Sequence, residues 1–115
     1  MEESWKKINA MIDELMKMAE KDLDSAVCDK LMEMREIFKD DIKDPLATKI
    51  CRLAAEHIQA NGSFDIDIDA GDEEEVAIDE PPFQYFLEIL RDPSNKYNRE
   101  ELTAYKHRIN EVRQY

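Results

Sequence analysis

Glycine is nearly absent from this sequence: the 115-residue chain has two, alongside two cysteines, two histidines and one tryptophan. With so little glycine no phosphate-cradling loop can be proposed, and the P-loop, GxGxxG and GxSxG patterns are all missing. Only His57 and His107 offer imidazoles for proton transfer near neutral pH or for transition-metal ligation. Ala54 and Ala104 stand three residues before them, so the Glu-x-x-His of a di-iron bundle is absent, as is HExxH. Cys28 and Cys51 have no CxxC neighbour and read as small buried hydrophobes in a reducing compartment, in preference to a disulfide or redox pair. Cys51 and His57 lie six residues apart on one predicted helix, about 240° round its axis, and share no face. The expectation is a non-enzyme with no catalytic residue, metal site or cofactor to assign.

Long apolar runs are also missing. None reaches the roughly 18 residues of a membrane-spanning helix, and the opening MEESWKKIN carries charges where a secretory leader needs apolar residues, so the expected location is cytoplasmic. Basic charge is in short supply, with 16 Lys and Arg against 28 acids and a net charge of -12. That balance argues against direct binding to nucleic acid or an anionic membrane, both of which need a basic footprint.

The residues that remain describe helices. A composition of 43% hydrophobic and 38% charged suits an ordered, mainly α chain. The expected architecture is one domain over residues 1–115: about five helices packed as a small bundle, with an acidic β-hairpin inserted at 62–81. Ile8, Ile12, Leu15 and Ala19 form the first helical stripe, widened by Met11 and Met18. Trp5 is placed to pack across the end of that helix. The stripe continues through Leu23, Val27, Leu31, Met34 and Phe38, but the acids at 22–24 are good N-caps, so a break is expected there and a second helix ending near Asp40.

Met11, Met16, Met18, Met32 and Met34 suit an ordinary core, with a flexible groove for partner helices as the competing reading. Asp44-Pro45 is a strong helix start. The third helix buries Leu46, Ile50, Leu53 and His57, the last as a core or boundary histidine, and Asn61-Gly62 ends it. Pro81-Pro82 opens a short fourth helix with Phe83, Phe86, Leu87 and Leu90 on one face, stopped by Asp92-Pro93. Asn98 to Glu101 has capping-box spacing, flanked by Tyr97 and Leu102 as a staple, ahead of a last helix carrying Tyr105, Ile109 and Val112.

Between the third and fourth helices lies FDIDIDAGDEEEVAIDE. Residues 62–82 hold nine of the 28 acids and no base; the other 19 acids and 16 bases leave only -3. Strict alternation puts Phe64, Ile66 and Ile68 on one face of a strand and Asp65, Asp67 and Asp69 on the other, with Val76 to Ile78 as a return strand. A hairpin over about 64–79 would present Asp65, Asp67, Asp69, Asp72, Glu73, Glu74, Glu75 and Asp79 as one crowded acidic surface.

Three things could answer that charge. One is a divalent cation such as calcium at Asp65, Asp67 and Asp69, although Ala70 and Val76 depart from the EF-hand pattern. Another is a basic protein surface, including the case in which ordered carboxylates mimic nucleic acid and inhibit a basic nucleic-acid-binding protein. The third is solvent alone, with the charge discouraging edge pairing. Lys96, Arg99, Lys106, Arg108 and Arg113 of the last helix could contribute if they faced the segment. The favoured reading is a small interaction or regulatory module whose partner is a basic protein surface, with a homodimer as a secondary expectation.

Overall fold

Asp24 separates the first two helices. The computed structural model describes residues 2–66 and 81–113. Helix α1 runs Glu2–Ala19 and α2 Ser25–Ile37; the Asp24 carboxylate accepts hydrogen bonds from the amides of Ala26 and Val27 at 3.1 and 3.4 Å. The break therefore falls where capping chemistry places it, and the long continuous helix is not formed.

The helical run that α2 begins ends at Ile42, close to the expected Asp40, but α2 does not stay α-helical to that point. It widens into a π-helical turn, Phe38–Ile42, closed by Lys43 in the left-handed region at φ 62°. The Phe38 carbonyl receives the amides of both Lys43 and Asp44. Phe38 itself is fully buried, edge-on to Trp5 with ring centroids 6.0 Å apart, so Trp5 does pack across the bundle end. Ser4 adds a hydrogen bond to Asp41 at 3.0 Å.

Helix α3, Pro45–Asn61, starts at the Asp44 cap and ends at Gly62, whose φ of 72° a residue with a Cβ adopts only with strain. Helix α4 is Pro82–Ile89 and α5 is Lys96–Val112. The expected capping box at Asn98 is not used. Asn95 caps α5 instead, accepting from the amides of Tyr97 and Asn98, while the Asn98 side chain donates to the Asp92 carbonyl at 3.0 Å. Tyr97, at 73% exposed, staples nothing.

The five helices close into a ring in which each has two principal neighbours, in the order α1, α2, α3, α5, α4 and back to α1. Spatial order thus differs from chain order: the chain leaves α3, crosses to α4 beside α1, and returns through α5 to α3. Ile8, Ile12 and Leu15 of α1, Leu31 and Met34 of α2, Ile50 and Leu53 of α3, Phe86 and Leu87 of α4 and Leu102 and Ile109 of α5 fill the interior almost without exposure. Each such side chain contributes about 1.5–3 kcal/mol of transfer free energy. Four of the five methionines of α1 and α2 behave as core, Met34 buried and Met11, Met16 and Met18 packed at its margin, whereas Met32 is exposed. Arg91 ties α4 to α1, reaching Asn9 at 2.9 Å and Asp13 at 2.7 Å.

The expected β-hairpin is not supported. No strand occurs among the described residues, and residues 67–79 of the proposed hairpin lie outside them. Phe64 and Ile66 are buried and Asp65 is exposed, the in-and-out order that alternation requires, yet these three residues pair with no second strand among the described residues. Their hold on the fold is side-chain packing rather than a β-ladder. Among the described residues no helix is long and apolar enough to cross a membrane.

Candidate functional site

The acidic stretch leaves the fold from an aromatic root. Three residues after α3 ends, Phe64 turns inward and lodges among α3, α4 and α5. Its ring lies 5.3 Å from Phe83, 5.1 Å from Phe86, 6.1 Å from Tyr105 and 6.0 Å, edge-on, from His57. Phe83 is the second residue of α4, so Phe64 and Phe83 bring the two ends of the acidic stretch together at the core surface. Offset and edge-to-face pairs of this kind add about 0.5–1.5 kcal/mol each beyond area burial. A shallow depression at the root is lined by Leu23, Ser63, Asp65, Pro82 and Gln84, among others.

Of the eight residues expected to form the acidic surface, Asp65 is the one described, exposed just beyond the root. Asp67, Asp69, Asp72, Glu73, Glu74, Glu75 and Asp79 lie outside the described residues. So do two of the three carboxylates of the calcium alternative. No group of three His, Cys, Asp or Glu converges to hold a metal among the described residues.

His57 is the boundary histidine that its place on the apolar stripe implies. Burial lowers its pKa below the ordinary value for histidine, and the charge of Asp65 opposes that shift. Asn61 donates to the His57 carbonyl at 2.9 Å. Both cysteines are free and buried. Burial pushes the Cys51 thiol far above its ordinary value, and it pushes Cys28 up as well, aided by Asp29 and Asp24. Thiols in that state are poor nucleophiles.

The arginines of α5, and Arg113 immediately after it, pair with acids of the helical body. Arg99 meets Asp44, Arg108 meets Glu111 and Arg113 meets Glu56.

One feature escaped the sequence reading. A cleft of about 490 Å³ opens where α2, the π-helical turn and α3 meet, lined by Arg35, Lys39, Lys43, Lys49, Arg52 and Thr48. Asp44 is the single acid in its wall, and its carboxylate is already engaged by Arg99 and by the cap of α3. The available signal was a faint one: residues 35–52 hold five of the 16 bases, interleaved with Glu36, Asp40, Asp41 and Asp44. A net charge of -12 concealed it.

No family model matches the chain, and neither the curated proteins nor the solved structures provide a match.

Proposed function

We propose that the protein is a non-enzymatic interaction or regulatory module that engages a basic protein surface through its acidic stretch, with Asp65, Asp67, Asp69, Asp72, Glu73, Glu74, Glu75 and Asp79 as the contacting carboxylates. The observation that carries this reading is the aromatic root. Phe64 and Phe83, which flank the most acidic part of the chain, pack against each other in the helical core, so the residues on either side of the stretch are held at one place on the molecule. Fixed ends lower the ordering entropy that a partner must offset on binding. Nine acids without a base favour rapid, salt-sensitive association with a positive surface.

The test is affinity capture at low salt with the wild-type chain and with a variant carrying Asp67→Asn, Asp69→Asn, Glu73→Gln and Glu74→Gln, followed by identification of what is retained. A partner with a basic surface should bind the wild type, elute as salt rises, and be lost by the variant. Equal retention by both chains would exclude the acidic stretch as the interface.

A further inference from the structure

Five bases converge on the cleft between α2, the π-helical turn and α3, in a chain that is otherwise strongly acidic. Lys39, Lys43 and Lys49 are exposed and make no ion pair among the described residues. Lys39 and Lys43 stand four residues apart, and Lys49 and Arg52 three apart, spacings at which like charges on a helical surface repel. Arg35 pairs through one terminal nitrogen with Glu36, and Arg52 with Glu56; neither acid lines the cleft. The Arg35 Nε is buried with no hydrogen-bond partner, an unmet donor in the cleft wall.

The backbone here is equally unusual. A π-helical turn, a form that occurs often at functional sites, carries Lys39, and a left-handed, non-glycine residue ends it at Lys43. The fold therefore concentrates repelling charge on strained backbone, while Arg99 neutralises the one acid in the cleft wall.

We infer that this cleft binds a compact polyphosphate group, of the kind carried by a nucleoside triphosphate, an inositol polyphosphate or inorganic tripolyphosphate. Lysine ammonium groups suit phosphate as mobile point charges, and arginine adds a planar fork. A volume of about 490 Å³ lies within the range of small-molecule sites. Compactness follows from charge. The lining is net +4, five bases against Asp44, so the remainder of the chain carries -16 of the total -12. A compact ligand seated in the cleft meets the positive lining, whereas a long polyanion that runs past it meets the flanking acids Glu36 and Glu56 and is repelled.

Calorimetric titration of the full chain with inorganic tripolyphosphate at 150 mM salt tests the inference, with ATP and inositol hexakisphosphate as parallel arms that distinguish the sources. Saturable one-to-one binding is expected for tripolyphosphate. The combined variant Lys39→Gln, Lys43→Gln, Lys49→Gln should lose at least about tenfold in affinity, the equivalent of about 1.4 kcal/mol. Lys6→Gln with Lys7→Gln, on the exposed face of α1, should lose none. If the triple variant melts early, Lys39→Gln and Lys49→Gln singly serve in its place, since both side chains are exposed and unpaired among the described residues. The inference fails if tripolyphosphate does not saturate at millimolar concentration, or if the cleft variants bind it as tightly as the wild type. It also fails if the α1 control loses as much affinity, or if a 20-nucleotide single strand binds more tightly than tripolyphosphate.

Discussion

Arg99 grips Asp44 with both ends of its guanidinium, each nitrogen 2.9 Å from a carboxylate oxygen. The last helix is thereby fastened to the cap of the third. Burial alone would raise the Asp44 pKa, but the hydrogen bonds from Arg99 and from the amides of Ala47 and Leu46 outweigh it, and the carboxyl sits below its ordinary range. A pKa lowered by folding stabilises the fold fully above the unfolded value, about 3.9 for Asp, and that contribution disappears as pH falls through the folded value. Arg99→Ala is expected to cost about 1–2 kcal/mol at pH 7, toward the lower end for charge-assisted bonds because Arg99 is partly exposed. Urea unfolding from pH 7 down to pH 2.5 should show the gap between variant and wild type narrowing below about pH 4. A gap independent of pH would mean that Arg99 acts through packing alone.

Phe64 is the keystone of the aromatic root, and its removal leaves a cavity walled by three helices. Phe64→Ala should lose about 3–5 kcal/mol, with Phe64→Leu losing less than half of that. Equilibrium denaturation measures both. A loss under about 1 kcal/mol for the alanine variant would show that the root collapses readily around a smaller side chain, and that it is not the rigid mount proposed here.

Lys43 occupies backbone that costs an ordinary L-residue about 1–2 kcal/mol, partly offset on substitution by the greater unfolded freedom of glycine. Lys43→Gly should therefore stabilise the fold by up to about 1 kcal/mol, whereas Lys43→Val, branched at Cβ, should destabilise it by at least that amount. The glycine variant should at the same time bind tripolyphosphate more weakly. A higher melting temperature accompanied by lower affinity is the expected pair of results; stability and affinity rising together would contradict the role given to this lysine.

Cys28 and Cys51 should be silent toward Ellman's reagent in the native protein at pH 8, because burial holds both as thiols, and the Cys28 thiol also donates to the Ala55 carbonyl at 3.4 Å. Two equivalents should react at once in denaturing urea. Fast labelling of Cys51 without denaturant would reveal an opening of α3 that its complete burial does not anticipate.

Local signals were legible wherever a single side chain decides the backbone. Asp24, Asp44-Pro45, Gly62 and Pro82 mark real boundaries because capping, a missing N–H and left-handed geometry act within one turn. The capping-box spacing pointed to Asn98, but Asn95, three residues earlier, takes the cap, and the Asn98 side chain donates to the Asp92 carbonyl instead. The π-helical turn has no comparable signature, since it differs from an α-turn by one residue in its hydrogen bonding. Periodicity identified the buried face of each helix but not what covers it, so the exchange of α4 and α5 around the ring was invisible. The cleft was missed for a related reason: Arg35, Lys39 and Lys49 belong to three elements that only tertiary packing brings together.

Phe64 and Phe83 also bear on how such a chain can diverge. The contacts that hold α3, α4 and α5 together at the root are made by Phe64, Phe83, Phe86 and Tyr105, and none of them depends on a residue between Ile66 and Pro81. Substitution and length change can be absorbed there while the helical ring keeps its packing. The root makes this scaffold a natural recipient for grafted recognition sequences.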